Sequence, residues 1–159
     1  MAQSKIVTLL TAGVLCAGLT GVVFAQTAAE TLVKQRRDEM VVIGRANGGI
    51  GAVARAAAAT PEQLAAIKGE ADKIVAAFDK VKAPELWAAG SGVADNIAGT
   101  KAKAEIWSNG AGFKTEMDAA VAAAHALKAA TDSGDHAKVK EAQANLQKTC
   151  GSCHSKFRI

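Results

Sequence analysis

The sequence has 159 residues, half of them hydrophobic, with 19 Lys and Arg against 15 Asp and Glu and a formal charge of +4. That length suits one domain with a real core. A charge so slight, with no block of like charges, excludes a nucleic-acid-binding arm.

The first segment, "MAQSKIVTLLTAGVLCAGLTGVVFAQ", has Lys5 as its only charge, an apolar run over about 6–19, and an ending in Val23-Phe24-Ala25. A basic start, an apolar middle and small residues at −3 and −1 describe a secretory leader. Residues 1–25 are therefore expected to be a signal peptide, with 26–159 as the mature domain. The apolar run is too short and poorly flanked for a membrane span. Cys16 follows Leu15 rather than a small residue, so it reads as part of the discarded leader and not as a lipid anchor. Removing 1–25, which holds Lys5 and no acid, leaves 134 residues with a net charge of +3.

The remaining chain reads as helix. Alanine is abundant, tyrosine is absent and there are two prolines, and Ala, Leu, Lys, Gln and Glu are the residues a helix accepts at least cost. A first helix is expected over about 28–58, with Val33, Met40, Ile43, Ile50 and Val53 forming one inward stripe. Gly44, Gly48, Gly49 and Gly51 weaken it by up to about 1 kcal/mol each. They suggest that something bulky passes close to the backbone, the alternative being a kink or break.

A second helix opens at Thr60-Pro61-Glu62-Gln63, with Thr60 as N-cap, Pro61 at the first helical position and Gln63 completing a capping box. Leu64, Ile67, Ala71, Ile74, Val75 and Phe78 continue it. Residues 81–100 form the longest irregular stretch, with a short helical turn expected at about 85–89. A third helix is expected over about 102–130, on Ile106, Trp107, Phe113, Met117, Val121, Ala124 and Leu127. "TDSGD" then turns, and Asp135 caps a fourth helix running to about 158. Long helices with short connections predict an all-α antiparallel four-helix bundle.

The chemistry concentrates in "TCGSCHSKFRI". On a helix, positions i, i+3 and i+4 share a face, so Cys150, Cys153 and His154 project together. Cys-x-x-Cys-His is the attachment signature of c-type haem. The thiols bind the vinyl groups as thioethers and the imidazole is the proximal iron ligand. An exported chain is where such attachment takes place. A disulfide across two intervening residues would staple almost nothing. Zinc ordinarily takes four ligands, and only three cluster here. A redox dithiol wants a βαβ context and a helix N-terminus, whereas this motif closes the last helix. The reading is one covalent haem c per chain. His125 and His136 are assigned to the surface and not to iron, and Trp107 and Phe113 to the core at the haem edge.

Three stretches together resemble the cytochrome c′ family and its Met-ligated, low-spin c-556 relatives. "CGSCHSKFR" resembles the family ending, with Phe157 and Arg158 after the histidine. "AEIWSNGAGF" resembles its Ile-Trp segment. "VKQRRDEMVVIGRANGGIG" resembles its first helix, with Arg36 followed four residues later by Met40. The resemblance implies Arg36 near a haem propionate and Arg158 beside His154 on the proximal side. A solvated helix surface is the alternative for each. It also implies antiparallel dimers through the first two helices as one assembly, a monomer being the other.

Met40 is then the candidate for the second axial position. If its sulfur binds, the iron is six-coordinate and suited to electron transfer. If it only packs, the iron is five-coordinate and open to NO or CO. The haem-facing position and the following Gly44 favour binding. The expected function is a periplasmic monohaem c-type cytochrome passing single electrons to redox partner proteins. NO or CO binding is the alternative. Enzymatic chemistry is not expected, because no distal acid–base pair stands in the first helix.

Overall fold

The structure, a computed structural model, describes residues 17–159, with side chains from 28 onward. Residues 1–16, including Cys16 and most of the expected leader, lie outside the described residues. No helix among the described residues is long and apolar enough to cross a membrane.

Among the described residues, six α-helices and two 3-10 turns follow one another: α1 (Ala17–Ala54), α2 (Pro61–Ala66), α3 (Lys68–Val81), turns at Pro84–Trp87 and Val93–Asp95, α4 (Glu105–Ser108), α5 (Gly110–Ser133) and α6 (His136–Phe157). α1 packs on α3 and α6, and α5 packs on α3 and α6. The result is the expected antiparallel four-helix bundle, with α2 and α3 sharing one leg and α4 and α5 another.

α1 runs unbroken through Gly44, Gly48, Gly49 and Gly51, so no break occurs there. It ends at Ala54 rather than near 58, although alanines continue. Thr60 must be extended (φ −77°, ψ 159°) to precede Pro61 and cap the next helix, and a residue before proline is driven out of helical space. Thr60 is the expected cap. Its Oγ1 accepts from Gln63 N at 3.3 Å, and Gln63 Oε1 accepts from Thr60 N at 2.9 Å. Thr60→Ala removes that reciprocal pair. It is expected to cost about 1 kcal/mol, read as a drop of about 4 °C in the calorimetric midpoint.

The second helix is divided at Ile67, a buried core residue. The third begins later than expected and is divided at Asn109, which leaves helical space (φ −127°, ψ 55°) so that its side chain accepts from Gly112 N. The last turn matches expectation. Gly134 takes φ 68° to close α5, and Asp135 Oδ1 accepts from Ala137 N and Lys138 N to open α6. Ile50, Ile74, Leu127 and Leu146, one from each leg, have no solvent-accessible surface and meet in the centre of the bundle.

Candidate functional site

At one end the helices part around a cavity of about 500 Å³, within the roughly 300–1,000 Å³ usual for ligand and cofactor sites. α1 contributes Arg36, Met40 and Gly44 at intervals of four. α6 contributes Cys150, Cys153 and His154 at the helical spacing the sequence implies. All six candidate site residues, including Arg158, line this one cavity. A Cβ on Gly44 would meet nothing within 4 Å, so the α1 wall is recessed there.

Both cysteines are free thiols, half-buried. Burial raises the pKa of Cys150. It pushes Cys153 up to about 11, helped by the negative charge of Glu116. Glu116 itself is held low by Lys156, with which it pairs from α5 to α6, and by the Ser152 hydroxyl. Burial, then the neighbouring Arg158, lowers the pKa of His154. The ring is therefore neutral at neutral pH and has a lone pair to give to a metal. Arg158 Nη1 stands 3.4 Å from His154 Nδ1. Guanidinium has no acceptor, so it can only donate to the ring.

Arg36 is not on a solvated helix surface. It is buried, with 5% of its surface exposed. Nη1 donates to Leu86 O at 3.0 Å and Ser91 Oγ at 2.8 Å, and Nη2 donates to Ser91 O at 2.7 Å. Its guanidinium lies 4.7 Å over the Trp87 ring. Burial lowers its pKa from a value so high that the charge stays. No carboxylate pairs with it among the described residues.

Sequence reasoning passed over Trp87. Trp87, not Trp107, is the indole on the cavity wall. It meets Phe113 edge-on at 4.7 Å, and Phe113 meets Phe157 at 5.4 Å. Trp107 lies behind, its Nε1 donating to Trp87 O at 2.8 Å. Its ring presses on Gly92 so closely that a Cβ there would fall 2.5 Å from it. A tryptophan in an otherwise irregular stretch was the available signal. His125 is exposed, and His136 bonds to Val53 O at 3.0 Å, away from the cavity.

Among the described residues no group of three or more His, Cys, Asp and Glu side chains could hold a metal ion unaided. The donor set fits a flat, largely apolar group that brings its own equatorial ligands. Two thiols and an imidazole sit on one helix face, a thioether stands on a second helix, and aromatic edges and cations complete the wall.

The family model described as cytochrome c′ matches residues 31–158. A cytochrome c′ of Rubrivivax gelatinosus is 33% identical over 126 residues, 79% of this chain and 92% of that protein. A cytochrome c′ of Cereibacter sphaeroides is 32% identical over 131 residues, 82% of this chain and 85% of that protein. Among solved structures, a cytochrome c′ variant from Alcaligenes xylosoxidans in complex with nitric oxide superposes with a TM-score of 0.70 at 25% identity, covering 82% of this chain and 95% of that one.

Proposed function

Because this chain belongs to the cytochrome c′ family, a covalent haem c is its cofactor, and we propose that it is a periplasmic single-electron carrier with His154 and Met40 as axial ligands. The observation that carries this reading is that Met40 on α1 and His154 on α6 line the same cavity. Bound there, haem iron supplies a one-electron ferric–ferrous couple.

The chain's residues would act as follows. Cys150 and Cys153 hold the ring edge through thioether bonds. The neutral His154 imidazole gives its lone pair to the iron, and Arg158 beside it tunes the electron density the ring can donate. Met40 would supply a thioether to the iron from α1, a ligand that raises the potential. It stands on an unbroken helix packed against α3 and α6, so little rearranges as the electron moves. Arg36, a buried cation lacking a carboxylate, is suited to a propionate. Residues 1–25 direct export and are removed. Val41 and Val42, 43% and 38% exposed on α1, suit a dimer through the first helices.

The second reading is a five-coordinate iron that binds NO or CO, with Met40 only packing. It is favoured by the nitric oxide complex of the Alcaligenes xylosoxidans relative. Optical spectroscopy separates the two. On the carrier reading the oxidised holoprotein is low-spin and CO leaves the reduced spectrum unchanged. Met40→Ala is then expected to give a high-spin spectrum and open the iron to CO. A wild type already high-spin and binding CO, little altered by the substitution, overturns methionine ligation in favour of the gas-binding reading.

A further inference from the structure

The mouth of the cavity carries charge of one sign. Its lining includes Arg36, Arg37, Lys101 and Arg158 and no carboxylate. Arg36 is buried, whereas the other three are exposed. Nine ion pairs occur among the described residues, and none of them involves these three cations. Three acids next to lining elements are already engaged, Asp38 with Lys34 at 2.5 Å, Glu39 with Lys80 at 3.0 Å, and Glu116 with Lys156, while Glu85 and Glu105 are exposed and in no ion pair with the rim cations.

The rim is assembled from three distant segments. Ala102 and Arg158 form an antiparallel bridge. Ile159 N donates to Lys101 O at 3.1 Å and Lys103 N to Phe157 O at 3.0 Å. This short ladder ties the 101–103 segment to the 157–159 segment, and Lys101 and Arg158 from its two sides both line the cavity. From α1, the Arg37 guanidinium lies over Gly99, where a Cβ would fall 2.7 Å from Nη1. The two propionates of haem c would offset part of the charge of these four cations without reversing it.

We infer that this cationic rim is the face on which an acidic electron-transfer protein docks, an inference that rests on the carrier reading. A charged patch around a cleft raises the encounter rate of oppositely charged partners by factors of about 10 to 1,000. Here it would bring the partner to the cavity mouth. An anionic membrane is the weaker fit, since lipid-binding segments cluster about four to eight Lys and Arg and this rim exposes three.

The test compares one-electron reduction of the ferric holoprotein by two reagents of opposite charge: ferrous cytochrome b5, an acidic protein, and hexaammineruthenium(II), a small cation. In each case one electron passes, the donor metal being oxidised as the haem iron is reduced. At low ionic strength the Arg37→Glu/Lys101→Glu variant is expected to lose about tenfold in rate with cytochrome b5 and to gain with hexaammineruthenium(II). Roughly 0.5 M salt should erase both differences. A changed potential would move both rates the same way, so opposed signs isolate charge.

Brisk wild-type rates that are the same in the variant, or that move in one direction for both reagents, overturn the inference alone. A wild type that takes no electron from either reagent overturns the carrier reading and the inference with it. Charge-blind rates combined with cosedimentation on phosphatidylglycerol vesicles, lost in the variant, would assign the rim to a membrane and overturn the protein partner.

Discussion

Replacing Cys150 and Cys153 together with serine is expected to yield a chain with the mass of the bare polypeptide and without a cooperative unfolding transition. Serine is nearly the size of cysteine, so the substitution itself disturbs little packing. The large effect comes from losing the anchored group. Its walls are Met40, Ile43, Phe78, Trp87, Ile106, Phe113 and Met117 among others, and without it they face a cavity of about 500 Å³. At about 24 cal/mol per Å³, a space of about 500 Å³ corresponds to a ceiling of ~12 kcal/mol. Water entering through the mouth lowers that figure. It remains comparable with the roughly 5–15 kcal/mol that holds a whole domain together. Intact mass, near-ultraviolet circular dichroism and guanidinium unfolding read the outcome. A sharp transition in the serine variant would mean that the four legs close without the group.

Replacing Arg36 with alanine is expected to loosen the 84–102 wall and cost about 3 kcal/mol or more. Three hydrogen bonds and a ring contact converge on this one side chain. Without it, half-buried Leu86 O loses its charged donor, at about 1–3 kcal/mol for a group left unsatisfied, Ser91 O keeps only the Thr100 Oγ1 bond at 3.1 Å, and the Trp87 face loses its cation. Arg36→Lys keeps the charge but not the planar fork, so it should recover only part of the loss. Denaturant midpoints give the cost. Hydrogen exchange gives its location: protection should fall across 84–102 and hold in α5. Uniform loss of protection, or none, would contradict the anchoring role.

Much of this was legible in the sequence because it is local. The Thr60 cap, the Gly134–Asp135 turn and the i, i+3, i+4 face of Cys150, Cys153 and His154 each depend on residues within a few positions of one another. Stripe periodicity sufficed for four legs. Features that depend on distant neighbours were not legible. Arg36 finds its partners 50 and 55 residues away, so its burial could not be read from the helix that carries it. The same holds for Trp87 taking the wall position expected of Trp107. The division at Asn109 is an intermediate case. Its side chain reaches only to Gly112, so an Asn-Gly-x-Gly cap was there to be read, but a continuous apolar stripe concealed it.

The two tryptophans of the chain, Trp87 and Trp107, are joined by a hydrogen bond from Nε1 of one to the backbone of the other, and the sequence has no tyrosine. Ultraviolet emission from this protein therefore arises from a single spot. A porphyrin bound a few ångströms away would drain that emission by energy transfer, making brightness a gauge of cofactor loss. The far end, around Thr60 and Gly134, is dark to this probe, and fraying there must be followed by a backbone signal.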